Sequence, residues 1–167
     1  MRSDELDALI LALESMPGCV ARATEVLDDA GARQPPAPGS FSLVEHVWHL
    51  ADLEREGYAL RLARLRDEDG PHLPDFDGDR IAAERAYRTL SLEEGLAAFV
   101  RARAENVRTL RAITAAEWAR AGTQEGVGAV RLSDIPRMMV RHDAGHRAEL
   151  QALLAGEPAW ARESACA

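Results

Sequence analysis

Between Leu132 and Leu153 the apolar residues recur at the spacing of one helical stripe, and two positions on that stripe are histidines. Leu132, Ile135, Met139, His142, His146, Leu150 and Leu153 share a face, with the two imidazoles one helical turn apart. A helix of this kind must bury its stripe against other elements, and it carries both imidazoles into the core. Burying two such rings costs desolvation that needs a partner to offset it. Neutral imidazole is the commonest metal ligand among side chains, and two rings one turn apart grip a single divalent ion from adjacent positions. Two ligands seldom suffice. The chain offers a third at His46 or His49, which differ by three positions and share roughly one side of another helical segment, so periodicity alone does not choose between them. The remaining histidine, His72, lies in a polar, proline-flanked loop and is a poor candidate.

The rest of the chain reads as three further long helical segments. Residues 4–30 carry helical periodicity through Leu6, Leu9, Ile10 and Leu13, then Val20, Ala23, Val26 and Leu27; Pro17-Gly18 predicts either a kink or two consecutive helices. Gln34-Pro35-Pro36-Ala37-Pro38-Gly39 is a connecting loop. Ser40 or Ser42 caps the next helix, with Glu45 completing a capping box after Ser42, and the helix is expected over 43–66 with its stripe at Val47, Leu50, Leu53, Leu60 and Leu65. A loop at 67–78 and a short helix around 79–87 follow. Ser91 and Glu94 then open a helix that buries Leu96, Phe99, Val100, Val107 and Leu110 and ends near Ile113. Thr114-Ala115-Ala116-Glu117-Trp118 reads as a capped turn. Residues 122–128 are too glycine-rich for regular structure, and 127–132 allow a short extended piece. Ser133 and Pro136 mark the start of the histidine helix, and Gly156-Glu157-Pro158 its end. With no alternating strand and no repeat, the predicted fold is all-α. It is an antiparallel four-helix bundle with long connections and one or two short extra helices, in a single domain over 1–167.

Length and composition narrow the function. A chain of 167 residues buries a core without a structural metal or disulfides, so an ion held by the histidines is for function. The net charge of −8 excludes the concentrated positive field that nucleic acid requires. Cys19 and Cys166 are two, far apart, which does not indicate a disulfide framework and points to a reducing cytoplasm. No secretory pattern or membrane-spanning apolar run is present, so a soluble cytoplasmic protein that does not engage membranes is expected.

Phe41-Ser42-Leu43-Val44-Glu45-His46-Val47-Trp48-His49-Leu50-Ala51-Asp52-Leu53-Glu54-Arg55, followed about ninety residues later by His142-Asp143-Ala144-Gly145-His146, resembles the DinB-like superfamily of bacterial four-helix-bundle proteins. The resemblance extends over nearly the whole chain, including the Pro-Ala-Pro-Gly loop, the Ser-Leu-Glu-Glu opening and the Thr-Ala-Ala-Glu-Trp turn. It implies one metal-ligating histidine in a His-Leu-Ala-Asp turn and two in a His-x-x-x-His, which here are His49, His142 and His146. His46 then becomes a neighbour with a structural or supporting role.

Three histidines leave open positions on a zinc, nickel or iron ion, the arrangement that polarises a substrate or acidifies a bound water. Asp52, one turn beyond His49, and Glu149, close beyond His146, are the candidate catalytic carboxylates, as acceptors for imidazole N–H groups or as general bases. Asp143 points about 100° away from its neighbour His142 and is left out of the site. The resemblance implies hydrolase-like or thiol S-transferase chemistry on a small-molecule substrate, with a low-molecular-weight thiol such as bacillithiol or mycothiol as partner, and a homodimer. The alternative is a non-catalytic stress-response or binding protein whose histidines hold metal weakly or only hydrogen-bond one another.

Overall fold

The computed structural model describes residues 1–156. Glu157, Pro158 and Cys166, used above for the helix end and for cysteine pairing, lie outside them. The chain runs α1 (Ser3–Val26), α2 (Asp29–Ala32), α3 (Leu43–Asp52), a π-helical turn (Leu53–Tyr58), α4 (Ala59–Asp67), β1 (His72–Leu73) and α5 (Gly78–Glu84). It continues through α6 (Leu92–Ala112), β2 (Ala121–Gln124), β3 (Gly128–Arg131) and α7 (Ile135–Leu153), with short 3-10 turns between. The four long segments, α1, α3 to α4, α6 and α7, form the four-helix bundle expected from periodicity. In it α1 packs on α6 and α7, and α3 packs on α6. No described helix is long and apolar enough to cross a membrane.

Local chemistry sets the helix starts. The Ser42 hydroxyl accepts from the Glu45 backbone N–H at 3.4 Å, while the Glu45 carboxylate accepts from the Ser42 N–H at 2.8 Å, a closed capping box. Ser91 accepts from the Glu94 N–H at 3.2 Å in the same way. Thr114 donates its N–H to Glu117 at 2.7 Å, closing the turn expected there.

Pro17 neither ends α1 nor divides it; the helix continues through it. Proline has no N–H to give to the carbonyl four residues back, which is that of Leu13. That carbonyl instead accepts from Nη1 of the buried Arg103 at 2.9 Å. The proline thus frees an acceptor in the bundle interior, and a guanidinium uses it.

Two expectations fail on phase. Leu60 and Val100, placed on buried stripes, are exposed. For Leu60 the cause is the π-helical turn, whose extra residue shifts the phase after it, so that Tyr58, Arg61 and Leu62 face inward there, while Leu65 is buried as expected. A third expectation, that 122–128 has no regular structure, also fails: β2 pairs antiparallel with β3, and β1 pairs parallel with β2 through His72↔Thr123 and Leu73↔Gln124. Glycine makes this small sheet rather than preventing it. Gly126 and Gly128 adopt positive φ in the turn, and a Cβ on Gly122 would come within 2.4 Å of the Pro71 carbonyl oxygen.

The apolar core is in two parts. One cluster holds Ile10, Leu13, Leu53, Tyr58, Leu62, Val107, Leu110, Ile135 and Met139; the other holds Met16, Cys19, Val20, Val44, Val47, Leu50, Phe99 and Leu150. Buried polar residues from the π-helical turn, α6 and α7 meet as one polar layer. Arg103 lies in it, donating to Asp143 at 2.6 and 2.9 Å and to Glu54 at 2.9 Å, with Asn106 donating to Glu54 at 2.7 Å.

Candidate metal centre

The polar layer continues from Asp143 to its neighbour His142, and there α3 and α7 bring three imidazoles together. Nε2 of His142 lies 3.2 Å from Nε2 of His49 and 3.2 Å from Nε2 of His146. The three nitrogens form one group able to hold a metal ion. His49 and His146 are buried and His142 is half-buried. The capping box at Ser42 fixes the start of α3, and Pro136 in the first turn of α7 starts the other helix, so both histidine-bearing segments have defined register.

The donor set fits a divalent ion. With metal–nitrogen bonds of about 2.0–2.1 Å, nitrogens 3.2 Å apart subtend roughly 100° at the ion, close to tetrahedral. Burial pushes the imidazoles down to about 4 for His49, about 3 for His142 and about 2 for His146, with neighbouring rings adding to the effect at the last two. All three are therefore neutral near pH 7, the form that binds metal.

His46 is also buried, and its Nδ1 lies 3.0 Å from Nδ1 of His146, on the side of that ring away from the other two histidines. Glu149 reaches the same His146 nitrogen at 2.9 Å. Beside these groups opens a cavity of about 270 Å³ lined by Phe41, His46, Asp79, His146, Glu149 and Ala152, among others. Burial raises the Glu149 carboxyl above its ordinary value.

Asp52 is placed differently from the expectation. It is fully buried, and its carboxylate accepts from the Tyr87 hydroxyl at 2.5 Å and from the guanidinium groups of Arg85 and Arg55. Three donors thus occupy the carboxylate, and among the described residues no histidine nitrogen bonds to it. Where Asp52 was expected to accept from an imidazole N–H or act as a base, it instead joins α3 to Arg85 and Tyr87 after α5, while Glu149 is a carboxylate that reaches a histidine nitrogen. Asp143 turns to Arg103. His72 is exposed in β1, with its Nδ1 3.1 Å from the Thr123 hydroxyl.

One residue that sequence reasoning missed is Gly78, at the start of α5. A Cβ there would lie 2.5 Å from Cε1 and 2.6 Å from Nδ1 of His49. The His49 Nδ1 is buried and has no hydrogen-bond partner among the described residues, so packing against this glycine is what bears on that side of the ring. A single glycine after an acid-rich loop gives no local signal of such a contact.

Metal-free protein is expected to lose stability as pH falls. His46, also lowered by burial to about 4, and the three converging histidines have folded values below 6.5, so under acid the unfolded chain binds protons that the folded chain refuses. Their full contribution is present above pH 6.5 and declines below it, by roughly 1.4 kcal/mol per pH unit for each ring that stays neutral. Urea denaturation of chelator-treated protein between pH 7.5 and 5 measures this. A flat profile would show that the rings protonate freely in the fold.

A family model described as the DinB superfamily matches residues 12–150. Among solved structures the chain is similar to YfiT from Bacillus subtilis, described as a probable metal-dependent hydrolase with an unusual four-helix bundle topology. The two are 22% identical over 93% of this chain and 89% of that one, with a TM-score of 0.85. It is also similar to a mycothiol-dependent maleylpyruvate isomerase, at 14% identity over 87% of this chain and 60% of that one, with a TM-score of 0.70. At these identities the likeness shows a shared fold. No curated protein matches the chain.

Proposed function

The chain belongs to the DinB superfamily, and from that premise we propose that it is a metal-dependent enzyme with hydrolase-like or low-molecular-weight-thiol S-transferase chemistry. The observation that carries the reading is the convergence of the His49, His142 and His146 Nε2 atoms at 3.2 Å contacts in the bundle interior. The description of YfiT as metal-dependent and the thiol dependence of the isomerase support the two versions of the chemistry. A zinc, nickel or iron ion held there supplies Lewis acidity, which makes a water or a thiol such as bacillithiol or mycothiol acidic enough to act as nucleophile near neutral pH.

The chain's own residues do the rest. Three protein ligands leave room for a nucleophile, where a fourth would close the site. Glu149, with its carboxyl raised by burial, would serve as a proton acceptor for a substrate in the cavity that it lines with His146. Phe41 and Ala152 give the cavity an apolar wall for a small substrate. A homodimer belongs to the proposal; Leu11 on α1 and Val100 on α6 are exposed apolar residues that an interface would cover, and sedimentation reads it.

The 3.2 Å contacts are also hydrogen-bond lengths, which favours a second reading: a non-catalytic bundle whose histidines bond one another. Elemental analysis separates the two. Protein purified without added metal is expected to carry one ion per chain, to lose it in His142→Ala, and to melt at a lower temperature with chelator. Metal-free protein whose melting is unmoved by saturating zinc or nickel would establish the second reading instead.

A further inference from the structure

The His146 ring faces two ways. If Nε2 joins the metal group, the proton of the neutral ring sits on Nδ1, and a buried N–H needs an acceptor. Two acceptors lie within reach: Glu149 Oε2 at 2.9 Å and His46 Nδ1 at 3.0 Å. They differ in freedom. The Glu149 side chain is 59% exposed at the cavity. His46 is 3% exposed, edge-on to Phe41 and to His146 with ring centroids 5.6 and 5.1 Å apart, on the first turn of a capped helix. Its imidazole hydrogen-bonds to no other described residue.

We propose that His46 is a positioning residue: its Nδ1 is a fixed second acceptor for the His146 Nδ1–H, so that Glu149 can leave that bond while His146 keeps its orientation. This rests on the reading that the three Nε2 atoms hold an ion. With Glu149 as sole acceptor, each movement of the carboxylate toward substrate would release the ring that it holds. With His46 in place, the carboxylate is free and the imidazole stays fixed. Outer hydrogen bonds of this kind usually govern metal affinity by about 10–100-fold, and here that control is shared between two groups.

The test is a double-mutant cycle on zinc affinity, with chelator-stripped protein titrated by calorimetry and folding checked by circular dichroism. Glu149→Ala and His46→Phe are each expected to weaken zinc binding by no more than about threefold, because either acceptor suffices, and the double variant by about 10–100-fold. His46→Asn, which carries an amide oxygen close to where Nδ1 lies, is expected to restore affinity in the Glu149→Ala background. A double variant no weaker than the product of the singles, or a single His46→Phe as weak as the double, overturns the shared-acceptor arrangement. Wild-type protein that binds no zinc overturns the metal site itself, so the two failures are distinct.

Discussion

Arg103→Ala is expected to lower the stability of the fold by about 3–5 kcal/mol, the cost of breaking a buried ion pair by removing one partner. The side chain is 2% exposed and joins four acceptors from three helices: both oxygens of Asp143 on α7, Glu54 in the π-helical turn and the carbonyl that Pro17 leaves open on α1. Without it, two carboxylates remain buried with no cation between them. Burial already pushes Glu54 upward, against the pull of Arg103. A domain of this size is stable by about 5–15 kcal/mol, so the variant should lie near the edge of folding. Chemical denaturation measures the change. A loss below about 1 kcal/mol would show that water or rearrangement replaces the guanidinium and that the layer is not a unit. Because Asp143 is next to His142, the same variant should also weaken metal binding wherever it still folds.

That polar layer was poorly legible, and the reason is physical. Helix starts depend on residues three apart in sequence, and Ser42 with Glu45, and Ser91 with Glu94, announced themselves. The four-helix bundle followed from stripes of the same local kind. Arg103 and Glu54 lie on those stripes, spaced four from Phe99 and Leu50, but a charged residue read one helix at a time looks like solvent-facing polarity. Only their meeting, 49 residues apart in the chain, reveals a core position. The π-helical turn carries no residue signature, and its phase shift undid the placement of Leu60. The small sheet depends on close approach of Gly122 to Pro71, which is again long-range.

The histidines divide along the same line. Spacing put His142 and His146 on one buried face, yet could not choose between His46 and His49. Both are buried, and both reach α7. They differ in which nitrogen meets which ring: Nε2 of His49 points to His142, and Nδ1 of His46 to His146. That difference is made by packing from outside α3, and for His49 the packing comes from the segment that Asp52 anchors. Asp52 was singled out by its position one turn from His49, and its place is structural support for that site. It holds Arg85 and Tyr87, which follow α5, while α5 begins with the glycine on which the His49 ring rests.

Gly78→Ala should therefore separate metal binding from folding. The backbone there is compatible with alanine, since Gly78 is not among the residues at positive φ, and alanine favours a helix over glycine by about 1 kcal/mol. Stability is thus expected to be unchanged or slightly raised. The new methyl group, however, would fall within 2.6 Å of two atoms of the His49 ring, well inside contact distance, so the ring must move. A ligand displaced by an ångström loses most of its bond to a tetrahedral ion, and zinc affinity should fall at least 100-fold, toward that of a two-histidine site. Circular dichroism with zinc calorimetry on the same sample reads both quantities. Unchanged affinity with intact folding would mean that α5 yields instead of the ring, and that Asp52, through Arg85 and Tyr87, does not hold this segment firmly enough to fix His49.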